Sequence, residues 1–385
     1  MSDVSDRPVS SLAPRLVVIT AATIFGSAYS LSAALIALDL AQASASQTFI
    51  GVNAAMHAVG VLAMAFFLPH ITARFGIRTT MLGAFGAVAI ALIMFPVLPL
   101  LWLWFPLRIV LGAASETLFV LSETWMNSLS TDETRARSMA LYTAAISVGF
   151  ALGPLMLSLM GASGATYGLG ATLILIALLC IALSPVRPPQ FEKSAHENPV
   201  RYMQMAPIAV LSVTLNAAIE TAGLSFLALY AIQLGWQDDA ATRLMTCMMI
   251  GAILLQLPIG WLADKMNRMR LVRILAGGAA LGALAWPLAL NSTILTYALL
   301  FFWGGAFVGV YTVMLAVVGD RFQGTRLVGI YAAMGLTWGL GALLGPVLAG
   351  LAMEWTRHGL AYFAFLSCFA FLLVSFIDRS QTESS

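Results

Sequence analysis

The sequence predicts an all-α integral membrane protein: twelve transmembrane helices arranged as two pseudo-symmetric six-helix bundles. Three observations lead there. Hydrophobic residues make up 60% of the 385 residues and charged residues 9%, against about 25% charged in an average soluble domain. Apolar runs of about 18–25 residues recur along the whole chain, each long enough to cross a hydrocarbon core of about 30 Å. Finally, a charged loop occurs twice, about 190 residues apart. One copy is Gly260-Trp-Leu-Ala-Asp264-Lys265-Met-Asn-Arg268-Met-Arg270, and its fainter echo is Pro69-His-Ile-Thr-Ala73-Arg74-Phe-Gly76-Ile-Arg78. Both adjoin a Leu-Pro pair, Leu257-Pro258 and Leu68-Pro69.

The twelve runs lie at about 15–38, 48–69, 79–98, 101–126, 138–160, 167–184, 207–233, 243–263, 272–290, 294–317, 328–352 and 360–377. They do not alternate in polarity, so they are helices and not strands of a barrel. Helix one carries Thr20, Thr23, Ser27 and Ser30 at spacings of three, four and three, a single polar stripe. It either lines a central cavity or hydrogen-bonds a neighbouring helix. In helix two, Asn53 precedes His57 by one turn; the imidazole is a packing residue or a proton shuttle.

Helix four is the richest in charge, with Arg108, Glu116 and Glu123. Arg108 and Glu116 are eight residues apart, about 12 Å along the axis and some 80° around it, so they do not pair directly. Arg108 clamps an anionic group or locks the bundle. Glu116 is a candidate functional acid, and Glu123, at the basic boundary near Arg74, Arg78 and Arg137, a gate or structural ion pair. Helices five and eleven repeat one pattern: Arg137…Tyr142 matches Arg326…Tyr331, and Gly149-x-x-x-Gly153-Pro154 matches Gly341-x-x-x-Gly345-Pro346. Glycines four apart let a neighbouring backbone approach closely, and the proline permits a bend.

Between the repeats lies the longest polar stretch. It divides the chain into residues 1–184, a linker at 185–206, and residues 207–385. Helix seven then places Glu220 thirteen residues from its start, roughly 20 Å deep, with Asn216 one turn before it. Intramembrane ionisable groups cost about 2.5–3.5 kcal/mol each on insertion scales, so they need a partner or a wet cavity. Without a fixed cation nearby, Glu220 is a carboxylate suited to exchanging protons or holding solute; the alternative is an interhelical hydrogen bond. Trp303, Tyr311 and Trp338 are mid-span aromatics, either packed or turned to a cavity as π-faces.

Charge fixes orientation. With both termini cytoplasmic, 16 of the 19 Lys and Arg residues fall on the cytoplasmic side. The basic residues are thus topological anchors, and they imply no nucleic-acid partner. No cleavage-like site follows the first span, which reads as a retained helix. Cys180, Cys247 and Cys368 lie in separate spans, which predicts neither a disulfide nor a metal site.

Twelve spans in two halves, basic loops after helices two and eight, and Gly-Pro bends in helices five and eleven together resemble the major facilitator superfamily, over essentially the whole chain. The family's loop signature is met by Gly260, Leu262, Ala263, Asp264, Lys265 and Arg268, with Asn267 where glycine is usual; asparagine also tolerates the left-handed conformation. The resemblance implies that Asp264 latches the cytoplasmic side shut, with basic side chains around it. In the first copy Ala73 stands at the acid position, so no latch acid is implied there. Arg108-Ile-Val-Leu-Gly112 resembles the family's helix-four signature, linked to proton coupling or to fixing that helix.

The function expected is secondary active transport of a small organic solute by alternating access, driven by protons, in the plasma (bacterial inner) membrane. Efflux by proton exchange stands slightly ahead of uptake by symport, because the cavity reads as apolar and aromatic with few fixed charges. A non-transporting sensor or scaffold on the same fold is the second class. An enzyme is not expected, since no phosphate loop, nucleophile or metal constellation occurs. No cofactor is expected, and the chain is expected to act as a monomer.

Overall fold

The computed structural model describes residues 12–130, 135–186, 199–322 and 324–377. Among them, twelve helices are long and apolar enough to cross a membrane. Helices one to six run over Pro14–Gln42, Gln47–Phe75, Ile77–Val97, Leu101–Ser128, Ser138–Met160 and Gly164–Leu183. Helices seven to twelve run over Pro207–Gln233, Asp238–Lys265, Arg268–Ala289, Thr293–Arg321, Gly329–Trp355 and Gly359–Ile377. All twelve predicted spans are present, several longer than the apolar run that announced them.

Local chemistry sets the boundaries. Ser46 opens helix two, its hydroxyl accepting from the Phe49 backbone N–H at 3.1 Å. Gly76, at φ 79°, makes the tight turn into helix three that a side chain would strain. Its counterpart works differently. Asn267 has φ −57° and caps helix nine, with its side-chain oxygen accepting from Arg270 N at 3.0 Å. The left-handed turn expected there is therefore replaced by an N-cap, a role asparagine fills and glycine cannot. Helix eight is interrupted at Leu255: Pro258 has no N–H for the Leu254 carbonyl and its ring crowds that turn.

Packing repeats between the halves. In the first, helix one lies on five and six, two on four, and three on four and six. In the second, seven lies on eleven and twelve, eight on ten, and nine on ten and twelve. The bundles meet along two related seams, two against eleven and five against eight, with one and seven touching between them. Since lipid tails are as apolar as leucine, helix association here depends on close contact. A Cβ on Gly149 would lie 2.4 Å from the Thr23 carbonyl oxygen, and one on Gly341 would lie 2.2 Å from that of Thr214. Helices one and five, and seven and eleven, thus touch backbone to backbone through the predicted glycine faces.

That contact also corrects the reading of helix one. Thr23, Ser27 and Ser30 donate to carbonyls one turn back, of Ile19 at 2.8 Å, Thr23 at 3.0 Å and Gly26 at 3.2 Å. Gly149 and Gly153 of helix five press against this stripe. Here the stripe packs against helix five, and it makes no interhelical hydrogen bond through these hydroxyls, which are satisfied within helix one. Small side chains that satisfy their own hydroxyls suit that task.

At the end opposite the basic loops, the helix two–eleven seam is closed. The Thr48 backbone N–H donates to Glu354 Oε1 at 3.0 Å. Nearby, the backbone of Gly51 lies against Pro346, and that of Gly350 against Gln47.

Candidate functional site

The space between the bundles narrows to a cleft lined by Tyr29, Ser32, Ala54, His57, Arg108, Thr221, Leu224 and Ser225, among others. Helices one, two, four and seven bring these residues together, with Ala342 and Pro346 of helix eleven closing one wall. The cleft has room for about one water molecule.

Arg108 is 4% exposed. Its Nε donates to Asn53 Oδ1 at 3.1 Å and its Nη2 to the Ala33 carbonyl at 3.5 Å. Asn53 is fully buried and serves the arginine directly. Tyr29 stands at the centre, its ring 5.2 Å from that of His57 and 5.3 Å from that of Phe150. Phe25 and Phe119 complete the aromatic cluster behind it.

Glu220 faces this cluster from the other bundle. Asn216 Nδ2 donates to its Oε2 at 3.3 Å, the one hydrogen bond of this carboxylate among the described residues. Its charge bears on the hydroxyls of Tyr29, in helix one, and Tyr311, in helix ten. Glu116 of helix four and Tyr311 are half-buried, and neither is among the residues that line the cleft. Trp338 packs on Ala58, Ala217 and Ala342 where helices two, seven and eleven meet.

Trp303 does not belong to this space. It is buried in the second bundle, where Nε1 donates to the Ala279 carbonyl at 2.8 Å and the ring packs 4.6 Å from Trp286 and 4.8 Å from Phe307. A buried indole needs an acceptor for its N–H, and helix nine supplies one. The π-face reading fails for this residue.

The basic-end residues expected as a gate are dispersed. Arg78 donates to the carbonyls of Ile181, Ala182 and Ser184, holding the end of helix six. Arg273 does the same for helix twelve through the Ser375 carbonyl at 2.7 Å. Lys265 Nζ lies 3.7 Å over the Trp261 ring, and Arg74 lies over Phe75 at 5.4 Å. Glu123 and Arg326 are exposed, and the Arg137 side chain lies outside the described residues. Among the described residues, only Asp264, Arg268 and a residue the sequence did not single out, Asp320, come together. Arg268 pairs with Asp320 and, at 3.7 Å, with Asp264, all within the second bundle.

A family model described as Major Facilitator Superfamily matches residues 17–309 and 208–385. The chain belongs to the major facilitator superfamily. Among curated members, it is 26% identical over 350 residues to the uncharacterized MFS-type transporter YfkF of Bacillus subtilis (strain 168), covering 87% of each chain. It is also 24% identical over 354 residues to the uncharacterized MFS-type transporter YcaD of Salmonella enteritidis PT4 (strain P125109), covering 91% of this chain and 92% of that one. The nucleoside transporter NupG shares the fold at a TM-score of 0.80 and 14% identity, over 97% of this chain and 100% of that one. A D-xylose-proton symporter does so at 0.72 and 16% identity, over 93% and 96%. The protein is thus a major facilitator superfamily transporter of unknown substrate.

Two of the residues at the centre of this transporter, Tyr29 and Ser32, escaped the sequence reading. Neither is ionisable at neutral pH, and Tyr29 sits beside the polar stripe, not on it.

Proposed function

We propose that the protein is a proton-coupled secondary active transporter of a small organic solute, with Glu220 as the carboxylate that takes up and releases the proton. The observation that carries this is the setting of Glu220. It lies in mid-helix between the two bundles, has no described cation partner, and is held by Asn216 alone. A carboxylate in such a place needs either a proton or water to offset its charge. Glu116 and Glu123 continue the acidic line toward the basic end. The printed title of one structural neighbour, a D-xylose-proton symporter, supports proton coupling on this fold.

In this reading the two bundles, residues 1–184 and 207–385, rock about the cleft while residues 185–206 connect them. The basic loops and both termini face the cytoplasm of a bacterial inner membrane. The closed seam of Thr48, Gly51 and Glu354 then seals the outer side, and Asp264 and its neighbours seal the inner side in the alternate state. Whether solute and proton travel together or exchange depends on the solute's charge next to Glu220. A monomer suffices for the cycle.

Proteoliposomes with an imposed pH step test this. Flux of a responsive solute should follow the step in the unaltered protein and lose that dependence in Glu220→Gln, while counterflow without a pH step survives. PH-driven flux that is unchanged in Glu220→Gln would move the proton to another group and overturn the assignment. Absence of flux for every solute in a panel of sugars, nucleosides and organic acids would favour a sensor.

A further inference from the structure

We infer that the Arg108 end of the cleft receives the anionic group of the solute, a carboxylate carried on a small apolar or aromatic body, and that this anion is loaded together with a proton. The inference rests on the transport reading above and adds the solute's chemistry and the sign of coupling.

The guanidinium is charged throughout the physiological range and offers five N–H donors in a planar fork. Here it is 4% exposed, and among the described residues it has no carboxylate partner. Its described hydrogen bonds use Nε, on Asn53, and Nη2, on Ala33 at the outer limit of 3.5 Å. Asn53 is itself fully buried, and its Nδ2 has no acceptor. Asn53 therefore presents a buried donor that nothing described takes, beside a guanidinium whose described bonds use only Nε and Nη2. A buried donor left open costs about 1–3 kcal/mol, so the arrangement persists for a reason other than stability. A two-oxygen anion answers both needs, one edge on the guanidinium and one oxygen on the amide.

In this conformation the cleft holds only about one water, so the body of the molecule enters when the bundles part, and the walls it then meets are mostly apolar. Beside Arg108 stand Ala54, Ala58, Leu224 and Ala342, with the Tyr29, Phe119 and Phe150 rings toward the other end. Hydroxyls are few, namely Ser32, Thr221 and Ser225. A sugar, with a hydroxyl on every carbon, would leave most of its donors unmatched here.

Charge balance then sets the coupling. An occluded site in a bilayer tolerates little net charge. With the cleft open to water and no solute bound, a charged Arg108 and an ionised Glu220 together bring no net charge, although they do not pair. An anion on Arg108 leaves Glu220 as an excess negative charge, which a proton removes. The groups facing Glu220 do not replace that proton: Asn216 on its own helix, Tyr29 of helix one and Tyr311 of helix ten bring no positive charge. His57 of helix two and Arg108 of helix four share the cleft, while Tyr331 of helix eleven and Glu123 act one step away, on Tyr311. Anion and proton therefore bind with positive linkage, and the transporter runs as a symporter. The exchange suggested by composition alone would need a solute that displaces the proton.

The test uses the full chain in proteoliposomes and detergent, with phenylacetate, 3-phenylpropionate and hexanoate as probes beside their carboxamides, chloride and phosphate. Acids, and not amides, should raise the melting temperature, and their affinity should rise by up to about tenfold per pH unit as pH falls. Their entry should carry protons inward with them. Arg108→Gln should weaken acid binding by at least about thirtyfold. Should that variant fold poorly, Asn53→Asp gives Arg108 an internal carboxylate and should abolish acid binding in a folded protein. Glu220→Gln should keep acid binding while losing its pH dependence. Equal binding of acids and amides, no binding of any acid at millimolar concentration, or chloride or phosphate competing as well as the acids would each overturn the proposal. If uncharged sugars or nucleosides then move protons while acids do not, the anion site falls and the transport reading stands. If no solute moves at all, the transport reading falls as well.

Discussion

Gly51 of helix two and Pro346 of helix eleven touch across the two bundles so closely that a Cβ on Gly51 would lie 2.3 Å from the Pro346 carbonyl oxygen. In the alternating-access cycle proposed above, the contact would exist only while this end is closed. Gly51→Val should therefore act on the conformational equilibrium and not on either bundle. Overpacking of about 1–3 kcal/mol would shift the ratio of closed to open forms by roughly 5–150-fold. Spin labels on the two helix ends near Thr48 and Glu354 should report a longer distance, and solute turnover should fall while the variant still folds. An unchanged distance distribution would mean that the seam yields elsewhere.

Trp303 offers the opposite case, a residue that matters for packing and not for solute. It is buried, with its N–H on the Ala279 carbonyl and its ring between Trp286 and Phe307. Trp303→Phe loses that hydrogen bond and opens a small void, for about 1–3 kcal/mol of stability. The melting temperature of the purified protein should drop, with solute affinity unaltered. A changed affinity at normal stability would return Trp303 to the cavity.

The contrast between these residues shows what could be read from the chain. Span number, the two halves and the matched glycine faces of helices five and eleven follow from apolar length and from repeated spacing, and both are properties of sequence. Periodicity also placed Thr23, Ser27 and Ser30 on one face of helix one. It did not say which neighbour that face meets, and the glycines of helix five decide that. Depth flagged Arg108, His57 and Glu220 because charge in a bilayer needs a partner. Tyr29 carries no such signal, and its place in the cleft beside His57 depends on how the helices pack. Similarly, Arg78 was legible as basic and terminal, but the free carbonyls it caps belong to helix six, about a hundred residues away.

Those carbonyls give a third prediction. The last turn of a helix has unpaired carbonyls and a partial negative charge, and Arg78 meets both at the end of helix six. Arg78→Ala should destabilise the first bundle by about 1–3 kcal/mol, because hydrogen bonds to a charged donor are lost. Arg78→Lys should recover only part of this, since one ammonium cannot fork between several carbonyls. A gate at the basic end would behave differently, altering turnover at unchanged melting temperature. Arg273→Ala should mirror the effect in the second bundle through Ser375.

The last prediction concerns Asp264, whose side chain is 76% exposed and whose one described ion pair is a 3.7 Å contact with Arg268. Exposed pairs of this kind are worth about 0–1 kcal/mol, and Arg268 already has Asp320 as a nearer partner. In the conformation described here, Asp264 therefore contributes almost nothing. If it latches the basic end in the alternate state, its value appears only there. Asp264→Asn should leave the melting temperature within error of the unaltered protein, yet shift the population toward the form closed at the Thr48–Glu354 seam. Turnover should slow because the return step is disfavoured, with solute affinity in this form unchanged. Asp320→Asn separates the two ideas, since it removes the partner that Arg268 uses now and should free Arg268 for Asp264. Distance measurements between the Asp264 loop and the start of helix five would read both variants. A latch at Asp264 is refuted if Asp264→Asn leaves the distance distribution and the turnover as they were.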